Sequence, residues 1–360
     1  MHESELPTSW PFSYERCLRL PGQVTCLTLG AGGHIYAGSS DGFVRVYDST
    51  SLKVVKAIQG LADEVASIVC CSRPDQALDN IFISVGCRIM SFGFPSESQK
   101  LIQKTSDALM CINVGEDDDV LNELSLSGNN DRLAFCCDSG TVGIVDLASK
   151  VVSTMKAKHS SICGCVKFIP NRPSELFSAG YDHALYHFDF SQRKLLSVYN
   201  ISPSAAASGM TLSPPFVMST AISSTGMFVA GTADGRLLLG YGGEKGSAHA
   251  RSKRSKKWDG LKADYIIELK HAEGPIVAVS FVGDSYLLAC TLMGSITRLD
   301  IQRDDKGGVK LETEWTIETK DIEKVNSLAV VPDGTRIILG GLDKKGGGII
   351  EIWNNTTMVL

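Results

Sequence analysis

The sequence predicts an all-β protein in which seven four-stranded antiparallel sheets form a closed ring, the β-propeller architecture. The clearest sheet lies at residues 159–200, where four short runs rich in β-branched and aromatic residues are separated by turn residues. Such runs are typical of an antiparallel meander. Comparable units recur, and the ends of their third strands are 43 to 59 residues apart. This spacing is close to the roughly 40–45 residues of one propeller blade with loops inserted.

The seven blades can be placed along the chain from these runs. We predict them at residues 24–58, 65–104, 109–156, 159–199, 216–269, 276–317 and 325–353. An aspartate marks the turn before the third strand in four units, at Asp41, Asp138, Asp182 and Asp234. A single sheet of this kind cannot bury both of its faces, whereas a ring buries them by packing neighbouring blades face to face.

The two ends of the chain are predicted to meet. The last unit lacks a fourth strand, while Tyr14–Leu20 precedes the first unit and has no partner there. Pairing Tyr14–Leu20 with Gly348–Trp353 closes the ring and hides two exposed sheet edges. Residues 1–360 then form one domain, and we expect the insertion at 242–262 in the fifth unit to be a flexible basic loop.

Composition, charge and the lengths of apolar runs limit the classes of function that the protein can have. The chain is 43% hydrophobic with a net charge of −5, so no global basic field indicates nucleic-acid binding. Its eleven cysteines lie within apolar runs without a Cys-x-x-Cys pair, as expected of reduced thiols in a cytoplasmic or nuclear protein. The first residues lack a signal-peptide core, and no run reaches the roughly 18 apolar residues of a membrane span. We expect no cofactor, no membrane association and a monomer outside its complexes.

Three polar residues of the clearest unit carry a family resemblance. His159 precedes the first strand, Asp182 lies in the tight turn, and Phe188-Asp189 ends the third strand. These residues resemble a WD40 repeat, with Phe188 where that family usually has tryptophan. The resemblance implies a structural hydrogen-bond network of His159, Ser178 and Asp182. A Ser-His-Asp set can also be catalytic, but no Gly-x-Ser-x-Gly elbow occurs, so we predict no catalytic residues.

Two further histidines invite a metal-binding interpretation. His183 and His187 alternate along the predicted third strand of the fourth unit, so they would share one face of the sheet with Asp189 beyond them. A zinc site needs three or four convergent ligands. We therefore interpret both histidines as side chains that hydrogen-bond to their neighbours, and we predict no metal site.

The insertion in the fifth unit contains the one strongly basic run of an acidic chain. Its cationic residues are Arg251, Lys253, Arg254, Lys256 and Lys257. Three interpretations remain open: a solvated loop without a partner, a nuclear-import signal, and a contact with an acidic protein or nucleic acid. Phosphorylation of the interspersed serines would cancel much of the positive charge.

Three stretches extend the resemblance beyond the generic repeat. Leu133–Leu147, His159–Leu196 and Glu323–Asn326 resemble the WD repeat-containing protein 53 family. The resemblance implies a seven-bladed propeller without enzymatic activity that acts as a substrate receptor of cullin-4 ubiquitin ligases. It further implies the adaptor damaged-DNA-binding protein 1 as a partner, contacted through a Trp-Asp-x-Arg motif at the end of a third strand.

That adaptor motif is missing from this chain. Asp48, Asp146 and Asp189 end third strands but have no arginine two residues later, and Asp300 is followed by Arg303 at three residues. The sequence therefore predicts a non-catalytic interaction scaffold, with the cullin-4 receptor as its specific form. A scaffold of another nuclear or cytoplasmic complex, such as one in chromatin or ribosome assembly, is the alternative. A hydrolase or lyase with a site in the channel is a third possibility, and no cluster of carboxylates or histidines supports it.

Overall fold

The computed structural model describes residues 12–30, 32–72, 78–95, 100–116, 118–203, 213–244, 258–304 and 307–356. Within these ranges the chain forms strands and two short 3-10 turns, Thr105–Asp107 and Ala263–Tyr265. The strands form seven sheets, which are antiparallel except for one added parallel strand in blade one. No helix in the described ranges is long and apolar enough to cross a membrane.

Blades one to three come first along the chain. Blade one contains β2 (Val24–Leu29), β3 (Ile35–Ser39), β4 (Phe43–Tyr47) and β5 (Val54–Gln59), to which β9 (Ile102–Lys104) is added. Blade two contains β6 (Val65–Cys71), β7 (Asn80–Val85), β8 (Arg88–Phe92) and β10 (Met110–Asn113). Blade three contains β11 (Leu121–Leu126), β12 (Arg132–Cys137), β13 (Val142–Asp146) and β14 (Val152–Thr154).

Blades four to seven complete the ring. Blade four contains β15 (Cys163–Phe168), β16 (Glu175–Gly180), β17 (Ala184–Asp189) and β18 (Lys194–Asn200). Blade five contains β19 (Val217–Ile222), β20 (Phe228–Thr232), β21 (Arg236–Gly240) and β22 (Ile266–Lys270). Blade six contains β23 (Ile276–Val282), β24 (Tyr286–Thr291), β25 (Ser295–Arg303) and β26 (Val309–Glu318). Blade seven contains β27 (Lys324–Val330), β28 (Arg336–Leu342), β29 (Gly348–Asn355) and the N-terminal β1 (Phe12–Leu20).

The predicted closure of the ring is confirmed. Strand β1 pairs antiparallel with β29, from Phe12 opposite Asn355 to Leu20 opposite Gly348. Each innermost strand contacts the innermost strand of the blades on both sides, and β27 contacts β2. The fold is therefore a seven-bladed propeller whose last blade takes its outer strand from the start of the described chain.

The second blade differs from the predicted range 65–104. Its outer strand is Met110–Asn113, which pairs with β8, so blade three begins at Leu121 rather than at 109. The run Ile102–Lys104 instead pairs in parallel with β5 of blade one. Both runs have a strand-like composition, and only the pairing across the seam between blades assigns them.

Hydrophobic packing is concentrated between the blades. The described residues form seven clusters of buried side chains, one at each seam between neighbouring sheets. The first residue of each innermost-strand bulge contributes to them, and these side chains are fully buried: Val24, Val65, Leu121, Cys163, Val217, Ile276 and Val325. Removing this apolar surface from water is the main source of stability for the ring.

Candidate interaction surfaces and the central channel

The seven innermost strands share one irregularity that shapes the channel. Each has a β-bulge near its start, for example between Val24 and Cys26 and between Val217 and Ser219. A bulge bends a strand and increases its local twist, so the strands converge around the axis. They line a cavity of about 390 Å³, to which all seven blades contribute side chains.

Side chains just after the bulges join neighbouring blades. The amide of Leu27 donates to Ser327 Oγ (3.0 Å), and the amide of Leu124 donates to Ser67 Oγ (3.1 Å). The hydroxyl of Ser219 donates to the carbonyl of Ile276 (3.0 Å). These bonds supply partners for backbone groups of the innermost strands. The polar lining of the channel is therefore largely used to hold the ring together.

Blade three departs from this pattern with an acidic residue. Glu123 accepts from the amide of Val166 (2.7 Å) and pairs with Lys167 Nζ at 2.5 Å. Burial alone would lower the pKa of Lys167, but the Glu123 carboxylate outweighs it and holds that pKa above its ordinary value. Glu123 and Lys167 are the only Asp, Glu, His, Lys or Arg side chains among the residues that line the cavity.

Thiols in the channel are poorly suited to nucleophilic chemistry. Burial raises the pKa of Cys26 to about 12 and raises that of Cys165 as well, so both are protonated at neutral pH. All eleven cysteines are unpaired thiols. In the described part of the chain, no group of three or more histidine, cysteine or acidic side chains is arranged to hold a metal ion.

The structure brings His159, Ser178 and Asp182 together in blade four. His159 Nδ1 lies 2.8 Å from Asp182 Oδ1, and His159 Nε2 lies 2.8 Å from Ser178 Oγ. The backbone amide of Ser160 donates to the second Asp182 oxygen (3.0 Å). The His159 ring also stacks on Tyr186, with 4.0 Å between ring centroids. His159 is 1% exposed and Ser178 is fully buried, so a substrate cannot reach the serine hydroxyl without local opening of the blade.

The two other histidines of blade four do not share a strand face, contrary to the sequence-based expectation. His183 lies in the turn before β17 with φ of 61°, a left-handed conformation that histidine adopts more readily than most residues. His187 is buried in β17, where Nε2 lies 2.8 Å from Glu175 Oε2 and Nδ1 lies 3.2 Å from Ser197 Oγ. His183 Nε2 has no hydrogen-bond partner among the described residues, so the expectation that both histidines bond to their neighbours is wrong for His183.

Comparison with known proteins agrees with the architecture. The sequence pattern of the family "WD domain, G-beta repeat" matches residues 15–48. A curated relative, the WD repeat-containing protein 53 homolog of Dictyostelium discoideum, is 30% identical over 227 residues. The chain is a seven-bladed β-propeller that matches the WD40 repeat pattern at residues 15–48. The alignment covers 57% of this chain and 58% of the relative, so the chain matches a little over half of that protein's length.

The match to one repeat has a simple structural meaning in this propeller. Residues 15–48 run through β1 and then through β2, β3 and β4. The sequence repeat thus begins with the outer strand of blade seven and continues into blade one. Because the repeat starts one strand before the blade does, the first repeat joins blade seven to blade one and closes the ring.

The third-strand aspartates of this propeller are used locally. Asp48 accepts from the amide and hydroxyl of Ser51 (both 2.7 Å). Asp146 accepts from Ser149 in the same way, and Asp189 from Ser191. These carboxylates cap the turn before the fourth strand, a common role for aspartate in turns. Two residues after each of these aspartates, where the adaptor motif has its arginine, the chain has a residue without a guanidinium group.

Arg303, the arginine closest to the expected motif, is held within the chain. Its guanidinium forms two bonds to Glu244, with Nη1 to Oε2 at 2.7 Å and Nη2 to Oε1 at 2.5 Å. Glu244 lies at the start of the blade-five insertion and is 9% exposed at its side chain. The pair therefore joins blade six to the beginning of that insertion.

Sequence reasoning missed Trp258 at the other end of the insertion. Trp258 is 1% exposed and packs on Phe177, Phe228 and His187, and its Nε1 donates to the carbonyl of Gly226 (2.9 Å). A single tryptophan after a basic run was the only available signal. The predicted basic residues lie outside the described part of the chain, namely Arg251, Lys253, Arg254, Lys256 and Lys257.

Proposed function

We propose that this WD40 propeller is a non-catalytic scaffold that binds other proteins. The observation that carries the proposal is the use of polar side chains in the channel: Glu123 and Lys167 neutralise each other, and the serines bond neighbouring blades. The loops on both faces and the outer rim are therefore the surfaces left to bind partner proteins. Rigid strands that present variable loops are a common arrangement for binding sites.

We propose as the specific form of this role a substrate receptor of a cullin-4 RING ubiquitin ligase, bound through the adaptor damaged-DNA-binding protein 1. The support is the likeness to WD repeat-containing protein 53, which includes the 30% identical relative. The docking motif of the resemblance is missing, so the adaptor contact in this chain would involve Arg303 or other residues near the ends of the third strands.

A pull-down with the purified adaptor tests this form of the proposal. Tagged full-length chain should enrich the adaptor over an unrelated propeller, and no enrichment would remove the ligase role. Arg303→Ala tests the direct contact, with Glu244→Ala as the matched control because it breaks the same ion pair and leaves the arginine in place. Loss with Arg303→Ala alone assigns the contact to the arginine, whereas loss with both variants assigns it to the orientation of the insertion.

A second candidate is a scaffold subunit of another nuclear or cytoplasmic complex, such as one in chromatin or ribosome assembly. The basic run favours this candidate. Glu244 and Trp258 lie on either side of the run, and each is anchored to the propeller, Glu244 by its ion pair with Arg303 and Trp258 by its bond to the Gly226 carbonyl. We propose that this run directs nuclear entry. Replacing Lys253, Arg254, Lys256 and Lys257 with alanine in a fluorescent fusion should shift the protein to the cytoplasm. An unchanged distribution removes that role from the loop.

A further inference from the structure

Among the described strands, blade one alone has a fifth strand at its outer edge. The three residues of β9 pair in parallel with β5, with Ala57 opposite Ile102, and the amide of Ala57 donates to the carbonyl of Leu101 (2.9 Å). In the sheet order, β9 is the terminal strand. Blade one has therefore already accepted one added strand at its outer edge.

Within the described ranges the outer edge of β9 has no strand partner, so it can accept another strand. Successive residues of a strand direct their backbone groups to opposite edges. Because the Leu101 carbonyl faces β5, the N–H and C=O of Ile102 face away from it. The next outward group, the amide of Lys104, donates to Asp107 Oδ2 (2.7 Å). Ile102 is thus the residue through which an extended partner would pair with this edge.

Exposed apolar side chains are concentrated at the same place. Within the described ranges, seven large hydrophobic residues are highly exposed, and four of them lie here: Val54 (51%), Leu101 (65%), Ile102 (48%) and Leu109 (65%). The other three are spread over blades three, four and six. Exposed apolar residues that cluster in this way mark interaction sites. We call Val54, Leu101, Ile102 and Leu109 the rim patch.

Two buried amide oxygens lie close to the rim patch. Gln103 Nε2 donates to the carbonyl of Gly93 (2.7 Å), but Gln103 Oε1 has no hydrogen-bond partner among the described residues. Asn80 is 9% exposed, and its Oδ1 also has no partner there. A Cβ built on Gly93 would lie 2.9 Å from Asn80 Oδ1 and 3.1 Å from Leu109 Cδ1. Buried acceptors without partners are costly, so a local rearrangement that brings a donor of a bound segment to them would be favoured.

The charge around the rim patch selects the partner. Lys53 precedes β5 and Lys104 ends β9, and both side chains are exposed. Lysines on an edge strand oppose pairing with a second copy, since both edges would carry the same charge. The same lysines attract an acidic segment.

We propose that the rim patch docks an extended segment of a partner protein in which apolar and acidic residues alternate, and that this segment adds a strand to β9. Its main chain pairs with Ile102, its apolar side chains cover Leu101 and Leu109, and its carboxylates face the lysines. Strand addition of this kind combines main-chain affinity with side-chain specificity. The site is independent of the proposed adaptor contact at Arg303, so either can fail alone.

Fluorescence anisotropy with two labelled decapeptides tests the site on the full-length chain. One probe alternates valine with glutamate, and the other alternates valine with lysine. We expect the valine-glutamate peptide to bind at least tenfold more tightly and its affinity to fall with added salt. Equal affinity for the two peptides, or no saturable binding of either, overturns the proposal.

Variants locate the binding on the protein. The double variant Leu101→Ser with Leu109→Ser should weaken binding at least tenfold. The matched control Val151→Ser with Val198→Ser, at exposed valines of other blades, should leave it unchanged. The double variant Lys53→Glu with Lys104→Glu should reverse the preference between the two peptides. An equal loss in the control, or a preference that does not reverse, contradicts the assignment.

A crosslinking measurement keeps the test independent of how the variants fold. A benzoylphenylalanine placed in the valine-glutamate peptide should crosslink to residues 100–109 of the unmodified chain, as mapped by mass spectrometry. Crosslinks confined to the channel or to the ring faces would contradict the proposal. A dimer that is detected by sedimentation and abolished by Ile102→Pro would also contradict the proposal, because a second copy would then occupy the edge.

Discussion

Phe188 lies where WD40 repeats usually carry tryptophan, and its surroundings explain why phenylalanine suffices. The ring is fully buried in the seam between blades three and four. Phenylalanine supplies the apolar volume but not the indole N–H. The Ser178 hydroxyl therefore bonds to His159 without a fourth partner, and stacking of His159 on Tyr186 holds the imidazole in place.

We predict that Phe188→Ala lowers the free energy of unfolding by about 3–5 kcal/mol, the usual cost of removing a buried phenylalanine. Urea denaturation followed by circular dichroism measures the change. Val198→Ala in the same blade is the control, because an exposed valine should change stability by less than about 0.5 kcal/mol. A loss below about 1 kcal/mol for Phe188→Ala would show that the ring is not packed between the blades.

The Asp182 carboxyl makes the blade-four network sensitive to acid. Burial alone would raise its pKa, but the hydrogen bonds from His159 and from the amides of Ser160 and Ala184 outweigh burial and hold the pKa below its ordinary value. A carboxyl with a depressed folded pKa stabilises the protein above its unfolded pKa of about 3.9, and this contribution is lost as pH falls through the folded pKa.

We therefore expect Asp182→Asn to destabilise the protein at pH 7 and to make much less difference near pH 3. Urea denaturation at several pH values, with the unsubstituted chain in parallel, measures the difference in unfolding free energy. A difference that stays constant between pH 7 and pH 3 would show that the carboxylate charge plays no part in the network.

At the scale of single elements, β1 acts as the latch of the ring. Besides its ladder with β29, it places Phe12 against Trp315 (5.3 Å between centroids) and Tyr14 against Trp353 (5.5 Å). Arg19 Nη1 pairs with Asp343 Oδ2 at 2.6 Å. Without β1, the hydrophobic edge strand β29 would be exposed, and such an edge promotes aggregation.

We predict that deletion of residues 1–20 lowers the melting temperature and causes aggregation, whereas deletion of residues 1–11 leaves both unchanged. Calorimetry and sedimentation measure the two effects. The shorter deletion controls for loss of chain length alone, because it leaves all of β1 in place. An unchanged melting temperature after the longer deletion would show that β1 contributes little to the stability of the ring.

Trp258 anchors the returning end of the blade-five insertion. It fills space between Phe177 and Phe228, so Trp258→Ala should cost about 3–5 kcal/mol of unfolding free energy. Trp258→Phe keeps most of the volume but leaves the Gly226 carbonyl without its donor, so it should cost about 1–3 kcal/mol. Chemical denaturation ranks the two variants. Equal effects would show that indole packing contributes nothing beyond the hydrogen bond, and an unchanged stability of Trp258→Phe would show that the hydrogen bond contributes nothing.

At the scale of the whole molecule, many carboxyls respond to acid in the same direction. The pKa lies below its ordinary value at Asp41, Asp48, Asp107, Asp146, Asp182, Asp333 and Asp343. Most of these side chains cap turns or lie in the hydrogen-bonded corners of blades. Since each stabilises the fold only when ionised, their contributions disappear together as pH falls.

We expect the stability of the ring to be nearly constant from neutral pH down to about pH 5 and to drop steeply below about pH 4, near the ordinary pKa of aspartate. The midpoint of urea unfolding as a function of pH tests this. A midpoint that stays level down to pH 3 would contradict the shared direction of these pKa shifts.

The sequence by itself determined the number of blades and the closure by Tyr14–Leu20. It also indicated that His159, Ser178 and Asp182 belong to one unit. The reason is physical: alternating runs, turn residues and the repeat period are local properties, and a strand left without a partner at each end of the chain has one simple solution. These features need no knowledge of which distant residues meet.

Only the tertiary structure decided which side chains meet across seams. It assigned Met110–Asn113 to blade two and Ile102–Lys104 to blade one, and it paired Glu123 with Lys167 and Arg303 with Glu244. Strand-like runs and isolated charges look alike along the chain. Their partners are selected by the packing of whole blades, so the rim patch and the channel pair became visible only after the ring was assembled.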